Sequence, residues 1–469
     1  MAEDDSQKTG ISRRDFLKSG VHLAGAFGVA TQSSWLAAKG YNKNLMHLEK
    51  SELSLGFVPL TDCASLVLAK ELGIFKKNGL NVKLQKQSSW SNIRDRVTIG
   101  NLDGAQMLAT MPLASTLGIG TIQKPMQAAF IMALNGNAIT ISHELYARML
   151  ELDPEAMKES PITARALKKV IDMDRKAGRD PMTFATVFPT STHNYELRYW
   201  MAAAGINPDE DIRLVVISPE YMVSNLEAQN IVGYCVGEPW NQLAVKAGVG
   251  RVLTTKYQIW NNSPEKVFAV TNSWAEKNPN TYQALLISLM EASDWIEHSD
   301  NRSEVANILA NKEYVNAPLD VIKMSMTGTY QYARHLPAES FPDFNVFNRY
   351  VANFPWQSHA EWFLTQMYRW GDIQIPINIK ETAALVYRTD LYAKAATEIG
   401  LTYPASTHKK EGVHKTSWTL DETGKAIQMG ADVFFDRQVF DSEKIVEYIY
   451  DFNVHSNVVT RNKLEEFNA

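Results

Sequence analysis

Short apolar runs alternate with amphipathic segments along most of this chain. Four runs have the length of buried strands, at residues 53–59, 80–84, 103–108 and 126–134. Segments with the apolar spacing of helices lie between them, at 61–75, 92–99 and 112–117. This alternation favours an α/β layer with a mostly parallel sheet.

A second series of the same kind follows a break at 135–137 and a charged helical segment at 153–176. Its predicted elements are strands at 183–187, 212–217 and 231–236 and helices at 193–204 and 220–228. Both series open with a strand, a threonine-containing helix cap and an amphipathic helix ending in Gly-Ile, at Gly73 and Gly205. This weak repeat predicts two similar lobes. Beyond it, the pattern predicts a strand at 266–271 and helices at 282–296, 305–308 and 319–324.

The turn that opens the helix at 193–204 is rich in hydrogen-bonding groups, since residues 190–193 read Thr-Ser-Thr-His. Free N–H groups and the positive end of the helix dipole lie at such a turn, so it is suited to bind an anion. In the alternative interpretation, Thr192 only caps its own helix.

The composition and net charge favour some classes of protein over others. With 45% apolar and 10% aromatic residues and a mean hydropathy of −0.24, we expect a soluble globular protein of two or three domains. The net charge of −5 argues against a nucleic-acid-binding protein, although local donors can still bind an anion. No zinc-binding spacing involves Cys63 or Cys235, which we expect to be buried free thiols, although an oxidising compartment would permit a disulfide.

The N-terminal sequence contains a predicted export signal. Residues 12–18, SRRDFLK, match the twin-arginine export pattern, and a weakly apolar run follows at 20–31. No later run reaches the roughly 18 apolar residues of a membrane helix. We therefore expect a periplasmic protein exported by the twin-arginine pathway, soluble unless the signal is retained as an anchor.

Seven stretches, in order, resemble the substrate-binding component of nitrate/nitrite ABC importers, a family that also includes bicarbonate-binding paralogues. They lie between about residues 53 and 395 and read GFVPLTDCASLVLAKELGIF, KQSSWSNIRD, LDGAQMLATMP, FPTSTHNYELRYWMAAAGINPDED, YCVGEPWN, SPEKVFAV and SHAEWFLTQMYRWG. The resemblance implies a type II periplasmic binding protein, with two α/β lobes, a ligand cleft between them and a helical C-terminal extension. The expected divisions are a signal and linker at 1–48, lobe one at 49–136 with 266–400, lobe two at 137–265, and a tail of unknown role at 401–469.

The resemblance also implies a site for nitrate or nitrite. Lys266 matches a lysine of the nitrate-binding members, where bicarbonate-binding members have glutamate, and a lysine offers an anion three donors and a positive charge. Trp90, Thr192 and His193 match other cleft contacts. Asn137 stands where the family usually has glutamine, and its side chain is shorter by one methylene, about 1.5 Å. The second-tier candidates are Thr61, Asp62, Glu238 and Trp240.

Each candidate also has a purely structural interpretation. Lys266 could be a solvated lysine on a strand edge, and Trp90 a core tryptophan. Asp62 is expected to cap its helix, and Glu238 is expected to pair with Lys266 or to hold a second-lobe loop.

The resulting hypothesis is a binding protein that delivers nitrate or nitrite to a permease driven by an ATPase subunit, without a cofactor, metal or nucleic acid. Alternatives within the class are binding of bicarbonate, cyanate or an organosulfonate. A cytoplasmic nitrate sensor is disfavoured by the export signal. An enzyme is disfavoured because the sequence has no GxSxG elbow, phosphate-binding loop or HExxH motif.

Overall fold

The computed structural model describes residues 47–422 and 425–468. The predicted export signal lies outside the described residues. The strands in chain order are β1 Glu52–Phe57, β2 Asn81–Lys86, β3 Gly104–Leu108, β4 Met126–Asn135, β5 Asn137–Ser142, β6 Thr183–Thr186, β7 Arg213–Val216, β8 Gly233–Gly237, β9 Gly250–Thr255, β10 Pro264–Thr271, β11 Thr329–Tyr330, β12 Glu339–Ser340, β13 Asn345–Val346, β14 Trp418–Glu422 and β15 Lys425–Met429.

Helices connect and cover these strands. In chain order they are α1 Ala64–Glu71, α2 Ile74–Lys77, α3 Trp90–Thr98, α4 Met111–Leu117, α5 His143–Leu152, α6 Arg165–Lys176, α7 Thr192–Ala202, α8 Met222–Glu227, α9 Trp240–Ala247, α10 Lys256–Ile259, α11 Asn272–Lys277, α12 Pro279–Glu297, α13 Arg302–Leu309, α14 Leu319–Met326, α15 Gln357–Arg369, α16 Ile379–Val386, α17 Thr389–Ile399, α18 Ile445–Tyr450 and α19 Arg461–Asn468. None of these described helices is long and apolar enough to cross a membrane.

Two mixed sheets organise the fold. The first has the strand order β13-β4-β10-β3-β1-β2, and the second has the order β7-β6-β8-β5-β9. The strands of the two predicted series pair in parallel, β1 with β2 and β3, and β6 with β7 and β8. The predicted alternation of strands and helices therefore corresponds to two α/β layers.

The chain passes between the sheets at two places. Between β4 and β5 a single residue, Gly136, makes the passage with a φ of +87°, a conformation that favours glycine. A Cβ atom there would also collide with the side chain of Asn345. The return passage lies between β9 and β10, through α10.

The charged segment predicted as one helix at 153–176 is interrupted. A short 3₁₀ helix, Ala156–Lys158, precedes α6, which begins at Arg165. Pro154 and Pro161 explain the break, because proline removes a backbone donor and disfavours helix in the residue before it. The pattern also missed α5, which is capped by the Ser142 side chain.

The C-terminal tail contributes to the core. Phe434 and Phe440 are both buried, and the Phe434 ring stacks on Trp260 at a centroid distance of 4.9 Å. Trp362 stacks on the same ring at 5.6 Å. Cys63 and Cys235 are free and buried, as expected from their apolar contexts.

Candidate functional site

The five residues predicted to contact the ligand lie together where the two sheets meet. Trp90, Asn137, Thr192, His193 and Lys266 are each at most 1% exposed. Trp90 begins α3, and Lys266 lies on β10 of the first sheet. Asn137 begins β5 of the second sheet, and Thr192 and His193 begin α7, which follows β6 of that sheet. Both halves of the fold therefore contribute to one buried cluster.

The start of α7 is fixed by a serine cap. The Ser191 hydroxyl accepts a hydrogen bond from the Asn194 N–H at 3.0 Å. The expectation that Thr192 caps this helix is therefore wrong, because Thr192 is its first residue. Its hydroxyl instead donates to Glu265 Oε1 at 2.9 Å. The cap leaves Thr192 and His193 free to project into the cluster.

Glu265 is the centre of the cluster, and the sequence interpretation missed it. Its carboxylate accepts hydrogen bonds from Lys266 Nζ at 2.6 Å, Thr192 Oγ1 at 2.9 Å and Asn137 Nδ2 at 2.8 Å. Lys256 Nζ lies 3.0 Å away as an ion pair, and His193 Nε2 lies 3.2 Å away. The predicted ligand contacts therefore surround a planar anionic group of the protein itself.

Neighbouring residues of a regular strand point to opposite faces, yet Glu265 and Lys266 reach the same cluster. The register between β10 and β4 shifts on both sides of Lys266, and such irregularities redirect side chains. Two adjacent charges in the apolar stretch SPEKVFAV were the available signal that both side chains are buried and paired.

A second ion pair adjoins the first and was also missed. Lys256, at the start of α10, pairs with Glu196 of α7, and both are buried. The Asn137 amide bridges the two carboxylates, since its Nδ2 donates to Glu196 Oε2 at 3.0 Å as well as to Glu265. Asn137 therefore holds two acidic groups side by side.

Asp62 belongs to the cluster and does not cap its helix. Its Oδ2 lies 2.9 Å from Lys266 Nζ, and its Oδ1 accepts a hydrogen bond from Gln106. The 3₁₀ helix that includes Thr61 and Asp62 has no side-chain cap. The cap predicted here is therefore wrong, because the buried lysine draws the carboxylate inward.

Trp90 lies against the buried lysine. Lys266 Nζ is 5.4 Å from the centroid of its ring, within the range of a cation–π contact. Trp90 Nε1 is buried and has no hydrogen-bond partner among the described residues. Buried donors are almost always paired, so this indole N–H points to a missing acceptor.

The remaining second-tier candidates lie at the edge of the cluster. Glu238 accepts hydrogen bonds from Tyr330 Oη at 2.6 Å and from the Gln242 N–H at 3.1 Å. Of the two roles considered for it, pairing with Lys266 is therefore wrong, and the bond to Gln242 agrees with the alternative of holding a local loop. The Thr61 N–H donates to the Glu238 carbonyl at 2.9 Å and links the two sheets. Trp240 lines a separate cavity of about 260 Å³ together with Pro59, Ser88 and Glu220.

Burial and charge set the protonation states. Burial lowers the pKa of His193 to about 3, so its imidazole is neutral and has one N–H to donate. Burial opposes ionisation of Glu265, but His193, Lys266 and Lys256 outweigh it, so its pKa lies well below the usual value. Burial and then the nearby Glu265 raise the pKa of Glu196 to about 7, although Lys256 partly opposes the shift.

These groups suit the binding of a small planar anion. The cluster contains an ammonium, a hydroxyl, an amide, an imidazole and an indole N–H, and in this structure the first three donate to Glu265. Within residues 47–422 and 425–468, no cluster of three or more His, Cys, Asp or Glu side chains has the arrangement of a metal site.

The chain is similar to several known proteins. A model of the NMT1-like family matches residues 46–310. The nitrate/nitrite binding protein NrtA of Nostoc sp. is 32% identical over 436 residues, which are 91% of each chain. The periplasmic nitrate-binding protein NrtA from Synechocystis PCC 6803 has a crystal structure with a TM-score of 0.74 and 29% identity, covering 87% of this chain and 100% of that one.

A longer relative matches as well. The nitrate import ATP-binding protein NrtC of Synechocystis sp. is 39% identical over 416 residues, or 88% of this chain. The match covers 56% of that relative, so this chain spans little more than half its length.

Proposed function

The chain belongs to the NMT1-like family, and from this premise we propose that it is the substrate-binding protein of an ABC importer and that it captures nitrate or nitrite. The observation that carries the proposal is the buried indole N–H of Trp90, which has no hydrogen-bond partner among the described residues and lies beside Lys266. A small anion with several acceptor oxygens would satisfy it.

The binding mechanism follows from where each group is attached. Trp90 and Lys266 meet the anion from the side of the first sheet. Asn137, Thr192 and His193 meet it from the second. Because these residues are buried, the anion enters only when the two sheets separate. Closure then brings both sets of donors onto its oxygens, and the closed form delivers it to the permease.

Calorimetric titration with nitrate, nitrite and bicarbonate, with and without calcium, tests the ligand. Lys266→Gln is expected to weaken nitrate binding at least about tenfold, because it removes a charged hydrogen bond. Lys246→Gln is the matched control, since Lys246 pairs with Asp320 at the surface. Unchanged affinity in Lys266→Gln would remove this lysine from the site.

A second variant tests the site if Lys266→Gln misfolds, because that change removes one ion-pair partner from each of two buried carboxylates. Trp90→Phe keeps a large ring and removes the unpartnered N–H. We expect weaker nitrate binding with a folded circular dichroism spectrum.

Bicarbonate is a second candidate, and Glu265 favours it. A central carboxylate can accept a hydrogen bond from the O–H of bicarbonate, which nitrate lacks. Tighter binding of bicarbonate than of nitrate in the same titration would establish this alternative over the first.

The proposed location is the periplasm, with export through the twin-arginine signal at residues 12–18. The proposed partners are a membrane permease and an ATPase subunit, and the names of the relatives support them. Fractionation of cells tests the location, and recovery of the mature protein from the cytoplasm would contradict it.

A further inference from the structure

The buried cluster carries more negative than positive charge. Its charged members are two lysines and three carboxylates, namely Lys256, Lys266, Asp62, Glu196 and Glu265. All five are at most 2% exposed. His193 is neutral, so one negative charge is in excess before any ligand arrives whenever all three carboxylates are ionised.

An incoming monoanion would double that excess in a site without solvent. Uncompensated buried charge is costly, and a buried group commonly changes its protonation state instead. The cluster therefore needs one further positive charge to hold nitrate.

Glu265 shares Lys266 with Asp62 and Lys256 with Glu196. Burial also raises the pKa of Asp62, but of the two only Glu196 is held beside Glu265 by a common amide, so Glu196 and Glu265 are the pair that receives the proton. They share the Asn137 amide and the Lys256 ammonium. When two carboxylates share a site, the proton affinity of one is raised. Glu265 is held ionised by its further contacts with Lys266 and Thr192, so Glu196 is the member that takes the proton.

Titratable side chains from several elements pack around Glu196. They are Lys256 of α10, Glu265 of β10 and Cys235 of β8. The thiol of Cys235 stays neutral, because burial raises its pKa well above the usual value. Glu265 stays ionised because its pKa is lowered, so Glu196 is the member of this group that changes charge near neutral pH.

We propose that the site binds its anion together with one proton, which passes from solvent to the Glu196 carboxylate. This inference rests on the proposed function and deepens it, since it makes the ligand an anion and a proton. The raised pKa of Glu196, about 7, agrees with it.

Calorimetry of the intact protein with nitrate, in buffers of different ionisation enthalpy, measures the protons taken up. We expect uptake near zero at about pH 5.5 and rising toward one above about pH 7.5, because the free carboxyl loses its proton near neutrality. Nitrate affinity should then fall by up to about tenfold per pH unit. Binding without proton uptake between pH 7.5 and 8.5 would overturn the proposal.

Variants identify the acceptor. Glu196→Gln should bind nitrate with an affinity that no longer depends on pH and with no proton uptake. Glu238→Gln is the matched control, because Glu238 is also buried and its pKa is also raised to about 7, yet it lies outside the ion-pair cluster. Uptake lost in Glu238→Gln and kept in Glu196→Gln would overturn the assignment.

Different results would contradict the proposed nitrate binding and the proposed proton uptake. Absence of nitrate binding at every pH would overturn the proposed function and this inference with it. Nitrate binding without proton uptake would overturn the inference alone. If Glu196→Gln does not fold, the buffer comparison on the unaltered protein still decides.

Discussion

Asn137 is a buried structural residue that is also a proposed ligand contact. Its amide donates to Glu196 and Glu265, and it follows directly after the passage at Gly136. The family resemblance placed this residue in the site but said nothing of the carboxylates it separates. Their positions depend on contacts between residues 59 and 128 positions apart in sequence, which no local pattern encodes.

Asn137→Ala is expected to destabilise the protein by about 1 to 3 kcal/mol, because two buried carboxylate oxygens lose a donor. Denaturant unfolding monitored by fluorescence measures the change. Asn230→Ala is the control, since that residue is exposed and surface substitutions usually stay within about 0.5 kcal/mol. Equal stability of the two variants would contradict the bridging role.

At the scale of elements, the alternation of strands and helices could be predicted from the sequence. Short apolar runs mark the strands, and amphipathic spacing marks the helices. The predicted periplasmic-binding-protein fold is confirmed by the structural likeness to NrtA. The cap predictions were wrong where Thr192 and Asp62 have stronger partners across the cluster. The division into two lobes and a tail at the stated boundaries stays a prediction, as does the role of each ligand contact.

The helix caps give a matched pair of variants. Ser191→Ala and Ser142→Ala each remove a side chain that accepts from the helix backbone, at 3.0 and 3.1 Å. Both should lose about 1 kcal/mol of stability. Only Ser191→Ala should also weaken nitrate binding, because Ser191 sets the start of α7, where Thr192 and His193 lie. Equal affinities in the two variants would show that this cap does not position the site.

At the scale of the whole molecule, the tail is part of the folded core. Phe434 stacks on both Trp260 and Trp362, whose own ring centroids are 4.6 Å apart. Trp260 directly follows α10, which carries Lys256. The tail therefore supports the element that carries one of the two buried lysines. The sequence did not reveal this, because the tail alternates between polar and aromatic residues without a regular period.

Phe434→Ala is expected to cost about 3 to 5 kcal/mol of stability, as is usual when a buried aromatic ring is removed. The control is Phe467→Ala, whose ring is 51% exposed and should matter little. Denaturant unfolding compares the two. A loss below about 1 kcal/mol in Phe434→Ala would show that the tail only covers the surface.

The one-residue passage at Gly136 has a consequence for how such proteins can be recombined. Asn137 follows it immediately, and Glu265 and Lys266 stand at the start of the returning strand. Consider a chimera in which one lobe is exchanged with that of a relative and the junctions lie at the two passages between the sheets. The proposed ligand contacts would then come from two different parents. Ligand preference would then depend on the exact position of the junction and not on either lobe alone. A junction intended to preserve ligand preference should therefore lie within an outer helix, away from both passages.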